Sequence, residues 1–224
     1  MKLYMHPVST GARPVRLLIA ENAIPCEEEI VDLTSGAQHQ EPYASLNPSR
    51  LVPMLEDDGF RLTESSAILK YLADKYDLPS YPKDLKKRAR VNEAMDWINT
   101  QFYRDFGYGL VYPQLFPHHR RRSDEAHAGS IEWGRTGARR WLQVLNDHWL
   151  GPDKAWLCGN EITIADYFGA CIVSLGEVLG CDFSEYPNIR RWLDRMRALK
   201  SWDSVNEVFN GFVAMNKGRE FVRL

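Results

Sequence analysis

The chain lacks the marks of a metal centre, a secreted scaffold or a membrane span. Its 224 residues hold only four cysteines, Cys26, Cys158, Cys171 and Cys181. No two stand in Cys-x-x-Cys spacing, and no histidine cluster completes a zinc pattern, so no metal is expected. The opening Met1-Lys2-Leu3-Tyr4-Met5-His6-Pro7 has no apolar core of an export signal. Scattered thiols without such a signal point to a reducing, cytoplasmic setting. Arg13 and Arg16 break the next apolar run. The uncharged stretch from Tyr167 to Gly176 covers about half a bilayer. No membrane partner is expected. Charge of one sign is also missing: Lys and Arg number 28 against 30 Asp and Glu, a net of −2. That argues against a generic polyanion binder and hence against nucleic acid. There is no internal repeat and no low-complexity tract.

What is there begins with short strands and helices. Leu3-Tyr4-Met5 reads as a strand, and His6 to Pro14 as a loop rich in Pro, Gly, Ser and Thr. Val15 to Asn22 has helical spacing, with Val15, Leu18 and Ile19 on one face. Glu27 to Leu33 reads as a second strand, and Pro42 to Leu46 as a short helix. Val52-Pro53-Met54-Leu55 is a strand with proline at its start, where the missing N–H is tolerated, and Val52-Pro53 is a candidate cis peptide. Asp58-Gly59 makes a hairpin turn into Phe60-Arg61-Leu62. Thr63-Glu64-Ser65 then opens a helix carried by Ala67, Ile68, Leu69, Tyr71 and Leu72. Its polar start exposes backbone N–H groups to an anion. The order β-α-β-α-β-β-α is a thioredoxin-like α/β layout.

Residues 77–84, with two prolines, a serine and no periodicity, read as a linker. Beyond them only helices are predicted. Val91, Met95, Ile98, Phe102 and Phe106 step by three and four along one helix, which Pro113 and Pro117 end. His118-His119-Arg120-Arg121-Arg122 reads as a solvated loop. A second helix spans about 124–149. Thr163 and Asp166 are spaced as a capping box. Pro187 opens a further helix, and Trp202, Val205, Val208 and Phe209 mark the last. The predicted domains are therefore 1–76, α/β, and 85–224, all α.

The Val-Pro strand start, the hairpin and Thr-Glu-Ser-Ser-Ala-Ile at the helix opening resemble the glutathione-binding half of cytosolic glutathione transferases. The resemblance covers nearly the whole chain and is strongest to the theta- and delta-like, serine-type classes. It implies a thioredoxin-like domain followed by an all-α domain, a cis Pro53, a homodimer, and detoxifying conjugation of glutathione to an electrophile. It places the thiol-activating serine at Ser9. A hydroxyl there, just ahead of helical N–H groups, can donate to a thiolate and lower a thiol pKa from about 8.5. Thr10 is the adjacent alternative and Tyr4 a third. No cysteine lies near position 9, which disfavours a cysteine-type mechanism.

Glu64 can accept from the γ-glutamyl ammonium of the tripeptide and Ser65 can donate to its carboxylate. Val52 and Pro53 would offer main-chain groups to its cysteinyl part, like one more antiparallel strand. Counting back from Asn47-Pro48, Gln38 and the neighbouring His39 fall where a glycine-carboxylate donor is expected. Thr10, Tyr103, Phe106, Tyr108 and Tyr112 are the candidate pocket for a hydrophobic electrophile. The same fold also supports glutathione-dependent disulfide reduction, peroxide reduction or dehalogenation, and non-catalytic binding modules.

Overall fold

The computed structural model describes residues 1–224. A four-stranded sheet has the order β2-β1-β3-β4. β1 (Lys2–Met5) pairs in parallel with β2 (Glu27–Ile30) and antiparallel with β3 (Met54–Asp57), which turns back into β4 (Phe60–Leu62). The hairpin turn sits at Asp58 and Gly59, both at positive φ. β2 stops at Ile30, short of the predicted Leu33. It is an edge strand with Ile30 exposed, and Val31 alone beyond it returns to the interior.

Helix α1 (Ala12–Glu21) follows β1 and starts three residues before the predicted Val15. Pro14 occupies its first turn, where a missing N–H costs nothing. A short α2 (Tyr43–Leu46) precedes β3, and α3 (Ser65–Lys75) follows β4. Glu41-Pro42 and Val52-Pro53 are both cis; only the second was anticipated.

After Lys75 no strand is formed beyond an isolated bridge between Trp156 and Gly159. α4 (Leu85–Trp97) is capped by Asp84, whose carboxylate accepts from the Lys86 and Lys87 N–H groups. It runs on through two wide-turned π-helical stretches, Ile98–Phe102 and Arg104–Val111, into α5 (Tyr112–Leu115). Pro113 therefore does not end the helix as predicted. It stands in the first turn of α5, and the chain leaves the helix only at Phe116, which is extended.

α6 (Asp124–Val144) continues as a π-helical stretch to Leu150. It packs close to the wide-turned segment: a Cβ on Gly134 would lie 2.3 Å from the Gly109 carbonyl carbon. α7 (Ile164–Val173) is fully buried and opens on the anticipated capping box of Thr163 and Asp166. α8 (Pro187–Arg197) and α9 (Trp202–Asn216) complete the chain. α1 packs against α7 and α9, and α3 against α7. One apolar core of 48 buried residues thus runs from Leu3 in the sheet to Phe209 in α9. No helix is long and apolar enough to cross a membrane.

Candidate active site

A cavity of about 1480 Å³ lies along the seam between the sheet half and the helical half. Its sheet side is lined by Ser9, Gln38, Val52, Pro53, Glu64 and Ser65, and its helical side by Tyr103, Tyr108 and Tyr112, with Thr10 between. Most of the residues singled out from sequence are therefore brought to one place.

Ser9 sits on the loop that enters α1. Its carbonyl accepts from the Ala12 and Arg13 N–H groups at 3.1 and 3.0 Å, so the helix begins directly on this residue. The hydroxyl oxygen accepts from the Ala12 N–H at 3.3 Å, which leaves its proton free to donate into the cavity. Gly11 is tightly placed beside it. A Cβ there would stand 3.0 Å from the Ser65 hydroxyl and 3.3 Å from Pro53 Cδ, narrowing the seam where α1, Pro53 and α3 meet.

The approach to Val52-Pro53 is held by buried polar groups. The Asn47 side-chain amide donates to the Leu51 carbonyl at 2.8 Å, and the Tyr43 hydroxyl donates to the same oxygen at 2.5 Å. The next residue is left unpaired: neither the N–H nor the C=O of Val52 has a partner in the chain. A strand edge with one free donor and one free acceptor suits an extended peptide.

Glu64 is the sharpest backbone anomaly. It has φ 65 and ψ 112, a conformation that costs a non-glycine residue about 1–3 kcal/mol. It precedes α3, yet its side chain makes no capping bond. The N–H groups of Ser65 and Ser66, at the start of α3, have no acceptor either. An exposed carboxylate, a hydroxyl and two free N–H groups thus meet at one point, suited to a ligand end that carries both charges.

Gln38 lines the cavity from a short 3-10 turn, Ala37–His39, and its buried side-chain carbonyl oxygen lacks a partner. His39, one step further along the same turn, is exposed and does not line the cavity. Tyr4 packs against Tyr43 under the sheet and also lies off the cavity.

On the helical side the wide turns decide which aromatics face inward. A π-helical turn brings residues five apart onto one face. The rings of Tyr103 and Tyr108 stand 5.1 Å apart, and the Tyr103 and Tyr112 hydroxyls are 2.5 Å apart. Burial pushes the Tyr103 phenol well up and the Tyr112 phenol to about 12, so both stay protonated donors at neutral pH. Phe106 falls on the other face, fully buried and stacked on Phe102 with ring centroids 4.8 Å apart. It belongs to the core and not to the pocket.

Sequence reasoning missed part of the lining. His118 and His119 turn toward the cavity, the latter edge-on to Tyr108. His118 and Arg120 to Arg122 are exposed, as expected of the run, and His119 alone is half-buried. Burial lowers the His119 pKa, with His118 and Arg121 adding to it, so that imidazole is neutral at pH 7. Phe168 and Ile172 of α7 and Phe209 and Phe212 of α9 complete the wall. No local signal separates these from ordinary core positions.

Residues 3–80 match the family model for the glutathione S-transferase N-terminal domain, and residues 113–200 match that for the C-terminal domain. Human glutathione S-transferase theta-1 is 34% identical over 215 residues, covering 92% of this chain and 86% of the human protein. The structure of human glutathione transferase theta-2, in complex with glutathione and an unknown ligand, superposes with a TM-score of 0.84 at 29% identity. That match covers 100% of this chain and 93% of the other. A delta-class glutathione transferase from Nilaparvata lugens superposes with a TM-score of 0.78 at 32% identity, over 96% and 98% of the two chains. The likeness spans the sheet half, the helical half and the seam between them, and the chain belongs to the glutathione S-transferase family, with theta- and delta-like character.

Proposed function

We propose that glutathione lies along the sheet side of the cavity and that Ser9 holds its sulfur as a thiolate, ready to attack an electrophile on the helical side. One observation carries this reading. The Ser9 hydroxyl, the unpaired Val52 main chain and the Glu64-Ser65 corner open onto the same cavity from three separate chain segments. The γ-glutamyl ammonium and carboxylate fit Glu64 and Ser65, and the cysteinyl amide fits Val52. The glycine carboxylate lies toward Gln38, whose side-chain amide can donate to it; His39 has no part. The first 76 residues supply the glutathione site, 77–84 the connection, and 85–224 the electrophile pocket of Tyr103, Tyr108 and Tyr112. The partners are glutathione, a hydrophobic electrophile and a second copy of the chain.

The protein does not supply the nucleophile. It lowers the pKa of one that is brought in and positions it. The bound thiol loses its proton to solvent, and the thiolate sulfur bonds to an electrophilic carbon by substitution or addition. This favours conjugation over thiol-disulfide exchange through an enzyme cysteine, since no cysteine lines the cavity.

Glu64→Gln tests the ligand's orientation. It keeps the shape and removes the charge facing the ammonium, so glutathione affinity falls roughly tenfold while kcat at saturation stays near wild type. Unchanged affinity in a calorimetric titration contradicts the assignment. Glu64→Gly separates function from fold. Glycine accepts the positive φ freely, so thermal stability rises while affinity drops.

A further inference from the structure

Arg13 is fully buried and has no carboxylate partner. Its guanidinium donates to the Ser174 hydroxyl at 3.2 Å, to Asn206 Oδ1 at 2.9 Å and to the Cys171 carbonyl at 2.6 Å, while its Nε has no acceptor. The guanidinium carbon sits 3.6 Å from the centre of the Phe209 ring. That ring lines the cavity, so the charge lies one aromatic thickness behind the wall.

The titratable groups that face it leave the charge uncompensated. On α7, burial pushes the Cys171 thiol up to about 11, so it is neutral. Tyr103 and Tyr112 are neutral phenols. Glu177, on the turn after α7, is paired with Arg197 at 2.9 Å. α9 contributes only Asn206 and Phe209. Around the cavity itself stand His6, Arg50, Arg104, His118 and His119, with Glu64 the sole acid.

Burying a lone cation costs several kcal/mol unless an anion answers it. A purely architectural tie between α1 and α7 or α9 would need no charge. Arg13 stands one helical turn beyond Ser9, with its own N–H bonded to the Ser9 carbonyl. We propose that Arg13 is a positioning residue for the reaction: its unpaired charge, set behind Phe209, favours loss of the bound thiol's proton to solvent and stabilises the resulting thiolate at Ser9. The anion absent from its surroundings is the substrate's own sulfur. This rests on the glutathione reading above and extends it, since no Arg13 contact with the ligand is required.

The test measures glutathione binding by calorimetry. It also titrates the ultraviolet absorbance of the bound thiolate against pH in wild type, Arg13→Met, Arg13→Lys and Asn206→Asp. Asn206→Asp puts a carboxylate where the guanidinium already donates. It neutralises the charge while Arg13 stays in place, so the test survives if Arg13→Met fails to fold. The thiol pKa is expected to rise by about one unit, a tenfold loss of thiolate below it, in Arg13→Met and Asn206→Asp. Arg13→Lys should titrate with wild type. An unshifted Asn206→Asp, or an Arg13→Lys shifted as far as Arg13→Met, overturns the inference while glutathione still binds. Failure of wild type to bind glutathione overturns the reading beneath it as well.

Discussion

Ser9→Ala is expected to lose about a hundredfold in kcat while keeping most of its affinity for glutathione. The magnitude is that of removing one preorganised donor from a developing or resident anion. The ligand's charged ends meet Glu64, Ser65 and Gln38, none of which this substitution touches. What goes is a donor aimed into the cavity from the start of α1, where the N–H of Ala12 already occupies the serine oxygen at 3.3 Å. The pH profile gives the sign. A donor that stabilises the thiolate depresses the bound thiol's pKa, so the rate reaches its plateau at lower pH. Without it, the acid limb of kcat moves upward toward the value near 8.5 of an unassisted thiol. Thr10 also lines the cavity, but its side chain is engaged with the Tyr103 and Tyr112 hydroxyls, so it is not expected to take over the role. Conjugation kinetics across pH, beside calorimetric affinities, check both halves. An unmoved acid limb, or equal loss of affinity and kcat, removes Ser9 from its role.

Asp166→Ala is expected to cost about 3–5 kcal/mol of stability, lowering the melting temperature by about 10 °C. The Asp166 carboxylate is fully buried and accepts four hydrogen bonds. The Thr163 N–H and hydroxyl come at 2.8 and 2.9 Å, the Leu157 N–H at 2.8 Å and the Trp192 indole N–H at 2.9 Å. Burial pushes its pKa up to about 6, so the carboxylate still predominates at pH 7. Removing it strands four donors inside the helical half, each with its own desolvation penalty. Asp166→Asn is also expected to fail, because its amide can accept on one side only. A thermal melt within a few degrees of wild type for the alanine variant would contradict this account.

Much of the fold was legible because punctuation marks it. Asn47-Pro48, Asp58-Gly59 and the prolines of 77–84 bound the elements, and the Thr163/Asp166 spacing announces α7. The start of α1 was not legible. Its first turn holds Gly11, Ala12, Arg13 and Pro14, and a buried arginine breaks the apolar periodicity by which a helix is read. Phe106 was misplaced for a related reason. The ladder of Val91, Met95, Ile98, Phe102 and Phe106 already put it on the core face, but the aromatic cluster around it invited a pocket reading. The wide turns that set Tyr103 and Tyr108 on one face and Phe106 on another leave no trace in a pattern counted at 3.6 residues per turn. Glu64 could be named from sequence, but its positive φ could not, and that backbone outlier is the strongest local sign of function.

The continuous apolar core described above has a consequence for how this protein can be taken apart. Cutting the chain within 77–84 would not liberate two working modules, because each fragment would carry away a bare greasy face that the other now covers. Chimaeras made by swapping halves between relatives face the same constraint. The crossover point matters less than whether α1 and α3 of one parent mesh with α7 and α9 of the other. Divergence toward new electrophiles is therefore easiest at the rim, around His118, His119 and Met215, where a side chain can change without disturbing that join.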